Sequence, residues 1–132
     1  FSKAVRLDNE NNRKDVTTYC GALRYGIEKL LAKYPHIQIC LFSPPVKMLG
    51  SNNENSSDTT PNTNGKYIKD FCDAMKSVAD EYHLPYFNHY DNMGINEYNW
   101  RTFLRDGTHL TYDKGVDMFG SKAASETESL IN

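Results

Sequence analysis

An α/β domain built on a parallel sheet is the fold class this sequence predicts, and three observations lead there. Helix-type and strand-type segments alternate from Val16 to the end of the chain, the order of βαβ units. The strand segments are short apolar runs without polar alternation, which suits strands covered on both faces. The chain has 132 residues, 39% apolar and 24% charged. That is the size of one domain, able to bury about two-thirds of its unfolded surface.

Residues 1–14 are polar and aperiodic and are expected to form a surface loop. From Val16 the apolar positions Tyr19, Leu23, Ile27, Leu30, Leu31 and Tyr34 follow at steps of three and four, predicting an amphipathic helix. Asp15 or Thr17 can cap its start, and Pro35 forbids its continuation. Gly21 and Gly26 are tolerable in its interior if they let it pack closely on a sheet. His36 to Phe42 reads as a buried strand, ended by Pro44 and Pro45, which cannot donate to a ladder. Gly50 to Gly65 has no large apolar residue and is expected to be a mobile excursion or lid. Ile68, Phe71, Cys72, Met75, Val78, Ala79 and Tyr82 mark a second helix, and Pro85–His89 a second strand. A short helix is expected over Ile95–Leu104. The last helix is capped by Thr111, has Asp113 in its first turn, carries Val116, Phe119, Ala123 and Leu130 on one face, and runs to the end of the chain.

Charge and length exclude several classes. Fifteen basic residues against 17 acidic ones, a formal charge of −2, leave no electrostatic footprint for nucleic acid or anionic lipid. No apolar run approaches the ~20 residues that span a bilayer. The three cysteines, Cys20, Cys40 and Cys72, are widely spaced inside apolar stretches and form no CxxC pair. They are therefore expected to be packed thiols rather than zinc or redox ligands. Asn55-Ser56-Ser57 fits a glycosylation acceptor but, in so asparagine-rich a chain, carries little information. The compartment stays open.

Only two strands are visible, and a two-stranded parallel sheet would leave most of its surface uncovered. The chain also starts at Phe1 without a methionine or a signal-like segment. It is expected to be the later half of an α/β domain, spanning residues 1–132, with the earlier half supplied by the same or a companion polypeptide.

Of the four histidines, His109 has the context for chemistry. It closes Asp106-Gly107-Thr108-His109 just ahead of the last helix, on the side of the sheet where loops leave the carboxyl ends of strands. An aspartate three residues before a histidine can, in one tight turn, hold Nδ1–H and leave Nε2 outward as a general base. Gly107 tolerates the conformation such a turn needs. Asp80-Glu81-Tyr82-His83 repeats the spacing at a helix end, where it is ordinary surface chemistry. His36 and His89 flank strands and are expected to be structural or exposed.

Asp106-Gly-Thr-His109-Leu110 and the helix that follows resemble the last block of the SGNH (GDSL-type) hydrolases, whose C-terminal Asp-x-x-His supplies two members of a triad. Tyr19–Leu23, Tyr34-Pro35 and Ile37–Pro45 are similar to the helix and strand that follow that family's Gly-x-Asn-Asp block. The resemblance covers roughly residues 16–131. It implies a three-layer α/β/α, flavodoxin-like fold and ester hydrolysis through a Ser-His-Asp triad, with His109 and Asp106 catalytic. No metal or organic cofactor is implied. The family's Gly-Asp-Ser and Gly-x-Asn-Asp motifs are absent from this sequence, so the nucleophile and oxyanion hole would lie upstream. Pro44, Pro45 and Trp100 are the candidate substrate-binding residues, with Tyr98, Phe103 and Met48 beside them. The expected partners are a small-molecule or carbohydrate ester and the upstream half of the domain. A non-catalytic carbohydrate- or ligand-binding module with a degenerate site is the main alternative. A flavodoxin-like regulatory or nucleotide-binding domain is weaker, because no glycine-rich phosphate loop is present.

Overall fold

The computed structural model of the chain describes residues 5–48 and 59–131. Most of the 50–65 segment expected to be mobile therefore lies outside the described residues. Its end, Asn62 to Lys66, is a tight turn in which the Asn62 side chain accepts from the N–H groups of Asn64 and Lys66.

Helix α1 spans Tyr19–Lys33, starting three residues later than its periodicity suggests. Asp15 accounts for the delay. Its carboxylate accepts from Thr17 N–H, the Thr17 hydroxyl and the Asn9 amide, folding residues 15–18 into a turn. Thr18, rather than Asp15 or Thr17, is the cap and accepts from Gly21 N–H at 3.1 Å. Val16 is left outside the helix and 57% exposed. A side chain at Gly21 would collide with the Asp15 carbonyl, so this glycine serves the turn and not a sheet. Gly26 has open space around it.

The two strands are β1, Leu41–Phe42, and β2, Tyr86–Phe87, paired in parallel with Leu41 opposite Tyr86 and Phe42 opposite Phe87. Both are shorter than the apolar runs that announce them. Leu41 N–H donates to Pro85 O and Ser43 N–H to Phe87 O, each at 3.0 Å. One step earlier the ladder would need an N–H from Pro85, which has none, so pairing cannot extend back over residues 37–40. Asn88 then turns the chain into a four-residue helix, α3, His89–Asn92, by accepting from Asp91 N–H.

Helix α2, Ile68–Glu81, buries Ile68, Phe71, Cys72, Val78 and Ala79 along one stripe, as its spacing predicts. Its entry is fixed by Asp70, whose carboxylate accepts from Tyr67 N–H at 2.8 Å. The helix expected over 95–104 contracts to α4, Trp100–Phe103. Asn96 and Asn99 bond each other's neighbourhood (Asn99 Oδ1 to Asn96 N–H, Asn96 Oδ1 to Tyr98 N–H) and hold the preceding residues in a turn. The last helix, α5, covers Lys114–Ile131. Thr111 Oγ1 caps it by accepting from Gly115 N–H at 2.7 Å. Asp113 lies just before the helix instead of within its first turn, and Val116 is 48% exposed.

The core has two parts. Between α1, α2 and β1 lie Cys20, Ile27 and Val78 with Leu23 and Leu41 against them. Below the loops, Met48, Cys72, Tyr90, Met93, Trp100 and Leu104 form a second cluster against which Phe119 of α5 packs. The architecture is α/β around a small parallel sheet. Among the described residues no helix is long and apolar enough to cross a membrane.

Candidate active site

The loop after α4 is built to hold one histidine against one aspartate. Leu104 and Leu110 pair as an isolated antiparallel bridge, and Arg105 N–H donates to His109 O at 2.9 Å, closing residues 105–109 into a tight turn. Gly107 stands at its crest with φ of +79°, a backbone state that side chains with a Cβ rarely adopt. Asp106 fills the turn from within. Its Oδ1 accepts from His109 N–H at 2.7 Å and Thr108 N–H at 2.9 Å, while Oδ2 meets His109 Nδ1 at 2.6 Å.

This arrangement fixes the proton chemistry. The His109 N–H, the His109 ring and the Thr108 N–H hold the Asp106 carboxyl well below the usual carboxylate range, so it stays ionised. A carboxylate can only accept, so Nδ1 of His109 is the donor and carries the hydrogen. In the neutral ring Nε2 is then the basic nitrogen. It has no partner among the described residues, and the side chain is 64% exposed. The dyad is open on the side where a reacting group would stand.

Two contacts tie this loop to its surroundings. Met48 N–H donates to Gly107 O at 2.8 Å, binding the turn to the segment that follows β1. Thr111 Oγ1 donates to Thr102 O, fastening the far end to α4. Between Pro44–Lys47 and α2 lies a cleft of about 380 Å³ that reaches Thr108, next to His109. Pro44 and Pro45 both line it. Trp100 does not. It is 4% exposed within the second core cluster, with the Arg101 guanidinium over its ring, because α4 points the indole inward beneath the loop. The expectation that Trp100 walls a substrate pocket is corrected accordingly. Met48 is likewise core, and Tyr98 is almost fully exposed.

The other histidines are held differently. His89 is completely buried between Phe42 and Phe119, and its Nε2 lies 2.6 Å from Glu126, pinning α5 to the sheet. His36 is exposed. His83 terminates α2. No three His, Cys, Asp or Glu side chains gather as a metal site would require among the described residues.

One charged residue with a structural role carries a signal that spacing alone contains. Arg24, 6% exposed, forms paired bonds of 2.7 and 2.9 Å to Asp8 and of 2.8 and 2.9 Å to Glu81. It clamps the N-terminal loop and the end of α2 to α1. Its position, four residues after Cys20 and three before Ile27, places it on the buried face of α1, where a charge must be partnered.

The chain matches no family model and no curated protein. Solved structures do resemble it. One crystal structure superposes with a TM-score of 0.83 at 23% identity, over 98% of this chain and 59% of its own. Another, of a protein from Lactobacillus plantarum, does so with a TM-score of 0.79 at 21% identity, over 96% of this chain and 60% of its own. The chain thus spans about three-fifths of the length of the solved structures it is similar to. At such identities the likeness establishes a shared α/β fold and nothing about activity.

Proposed function

We propose that this chain is the later part of an SGNH-type serine esterase in which His109 is the general base and Asp106 its orienting carboxylate. The serine and the oxyanion donors would come from sequence beyond these 132 residues. The same proposal makes β1 and β2 the last two strands of a larger parallel sheet in a three-layer, flavodoxin-like domain. The observation that carries it is the 2.6 Å contact between His109 Nδ1 and an Asp106 carboxylate already fixed by two N–H groups. The likeness to solved chains that are longer than this one supports the architectural part.

The chemistry is acyl transfer. The serine Oγ bonds to the ester carbonyl carbon as His109 Nε2 takes its proton, and Asp106 stabilises the imidazolium. The carbonyl–oxygen bond to the alcohol then breaks, and the imidazolium protonates the departing alkoxide. Water repeats the sequence on the acyl-serine and releases the acid. Without the attacking serine no acyl-serine can form, and each missing oxyanion donor costs a further factor of about 10²–10³ in rate, so residues 1–132 alone are expected to be inert.

The test is a fluorophosphonate serine probe applied to the natively purified protein and read by intact mass after denaturation. An adduct on a serine outside residues 1–132, lost in His109→Ala, is the expected result. A folded full-length protein that stays unlabelled would overturn the proposal in favour of a non-catalytic, ligand-binding module.

A further inference from the structure

We infer, on the strength of the esterase reading above, that the cleft beside Thr108 is the acyl pocket and that the substrate is an ester of a medium-chain apolar acid, about six to eight carbons, rather than an acetate. The floor of the cleft is Ile68 and Phe71 of α2, with Tyr19 braced edge-on against Phe71 at 5.0 Å between ring centres. Pro44, Pro45 and Val46 form the facing wall.

The lining decides the chemistry. Two consecutive prolines present no backbone N–H, so that stretch of the wall offers few donors to a sugar hydroxyl. Among the described residues no carboxylate lines the cleft, and Lys47 is its only charged residue. An apolar chain gains from leaving water here, whereas a polyhydroxylated group would meet mostly Ile68, Phe71, Val46 and the two prolines and lose more hydrogen bonds than Tyr19, Lys47 and Thr108 can replace. At about 30 Å³ per water-sized group, 380 Å³ admits at most roughly a dozen heavy atoms, which a chain of six to eight carbons with its ester oxygens largely fills. An acetyl group would leave most of it empty.

Position points the same way. The cleft runs to Thr108, the residue before His109, and the Met48–Gly107 bond holds its wall and the dyad loop together. A larger cleft of about 500 Å³ lies along α2 and α3, but Lys69, Asp73, Lys76 and Asp91 line it and no residue of the 104–110 loop reaches it.

Two measurements on the full-length protein test this: turnover of p-nitrophenyl esters from two to twelve carbons, and calorimetric binding of octanoate against acetate. Each buried methylene is worth about fourfold, so the hexanoate ester is expected to exceed the acetate by roughly 10²-fold in kcat/KM. Pro44→Trp, which adds an indole to the lining, should move the optimum to shorter chains. Octanoate should bind with a negative heat-capacity change. Turnover fastest on acetate and declining with length would overturn the acyl pocket while leaving the esterase standing. Octanoate binding without hydrolysis of any ester would overturn the esterase reading, and with it this substrate assignment, but leave the cleft's apolar preference intact. Failure of both measurements would remove both.

Discussion

In the loop after α4, Asp106 turns its carboxylate back onto His109, three residues on. At the end of α2, Asp80 and His83 have the same spacing and do not meet in this way. There Asp80 accepts from Lys76, one helical turn earlier, at 2.7 and 2.9 Å. His83 leaves the helix at φ of +55°, its N–H donating to Asp80 O while Leu84 N–H returns to Ala79 O. That is a Schellman ending with a histidine in the place glycine usually takes. The residue after each aspartate separates the two. Gly107 reverses the chain at positive φ, whereas Glu81 continues a helix and sends its carboxylate to Arg24. Spacing brings an aspartate and a histidine within reach, and the backbone path between them decides whether they pair.

The largest effect expected of this contrast is on turnover. In the full-length protein, His109→Ala should lower kcat by about 10⁵–10⁶, the order of loss that follows removal of a triad histidine, while His83→Ala should leave it unchanged. Comparable losses in both, measured on ester substrates under saturation, would mean the 106–109 turn has no special part in the chemistry.

Asp106→Asn should follow, with a loss of roughly 10²–10⁴, because the amide can present its N–H to Nδ1 and favour the wrong tautomer. The acid form of Asp106 offers a second check. A carboxyl whose folded-state pKa is depressed stabilises the fold above its unfolded value, near 3.9, and loses that contribution only as pH falls through the lower folded value. The Asp106 carboxyl carbon should therefore show no protonation step of its own centred at about 4. A titration centred near 4 would show that the three donors do not hold it.

The two motifs also show what a one-dimensional reading can see. The Asp106–His109 pair is legible because every bond that makes it lies within four residues. The stripes of α1 and α2 are legible for a similar reason, since a helix repeats its exposure locally. The strands are not. Residues 36–42 look apolar enough for seven positions of strand, but pairing depends on Pro85, more than forty residues away, and stops at two. Trp100 could not be assigned to pocket or core without knowing where the loops after β1 and α4 meet. The floor of the Pro44–Pro45 cleft comes from Ile68 and Phe71, across a segment with no periodicity to place it.

Glu81, the counterpart of Gly107, provides the next prediction. It accepts from Arg24 and, at 3.0 Å, from Arg13. Arg24 is buried while Glu81 and Asp8 remain partly open, so Glu81→Ala leaves half of a buried guanidinium without acceptors. A cost of about 2–3 kcal/mol is expected, read as a lower urea midpoint at unchanged m-value, with turnover per folded molecule unaffected. A shift below about 0.5 kcal/mol would mean that water replaces the lost carboxylate.

The smallest effect has the opposite sign. His83 holds a left-handed backbone that costs a residue with a Cβ about 1–2 kcal/mol, and glycine removes that strain. Glycine also widens the unfolded ensemble, which returns about 0.5–1 kcal/mol of the gain. His83→Gly should thus stabilise the protein by roughly 0.5–1 kcal/mol, a rise of about 2–4 °C in Tm, without touching activity. The position is exposed, and Asp80 already has Lys76, so no partner is lost with the imidazole. A fall in Tm would show that the His83 ring makes a stabilising contact, and the second motif would then be more than a helix ending.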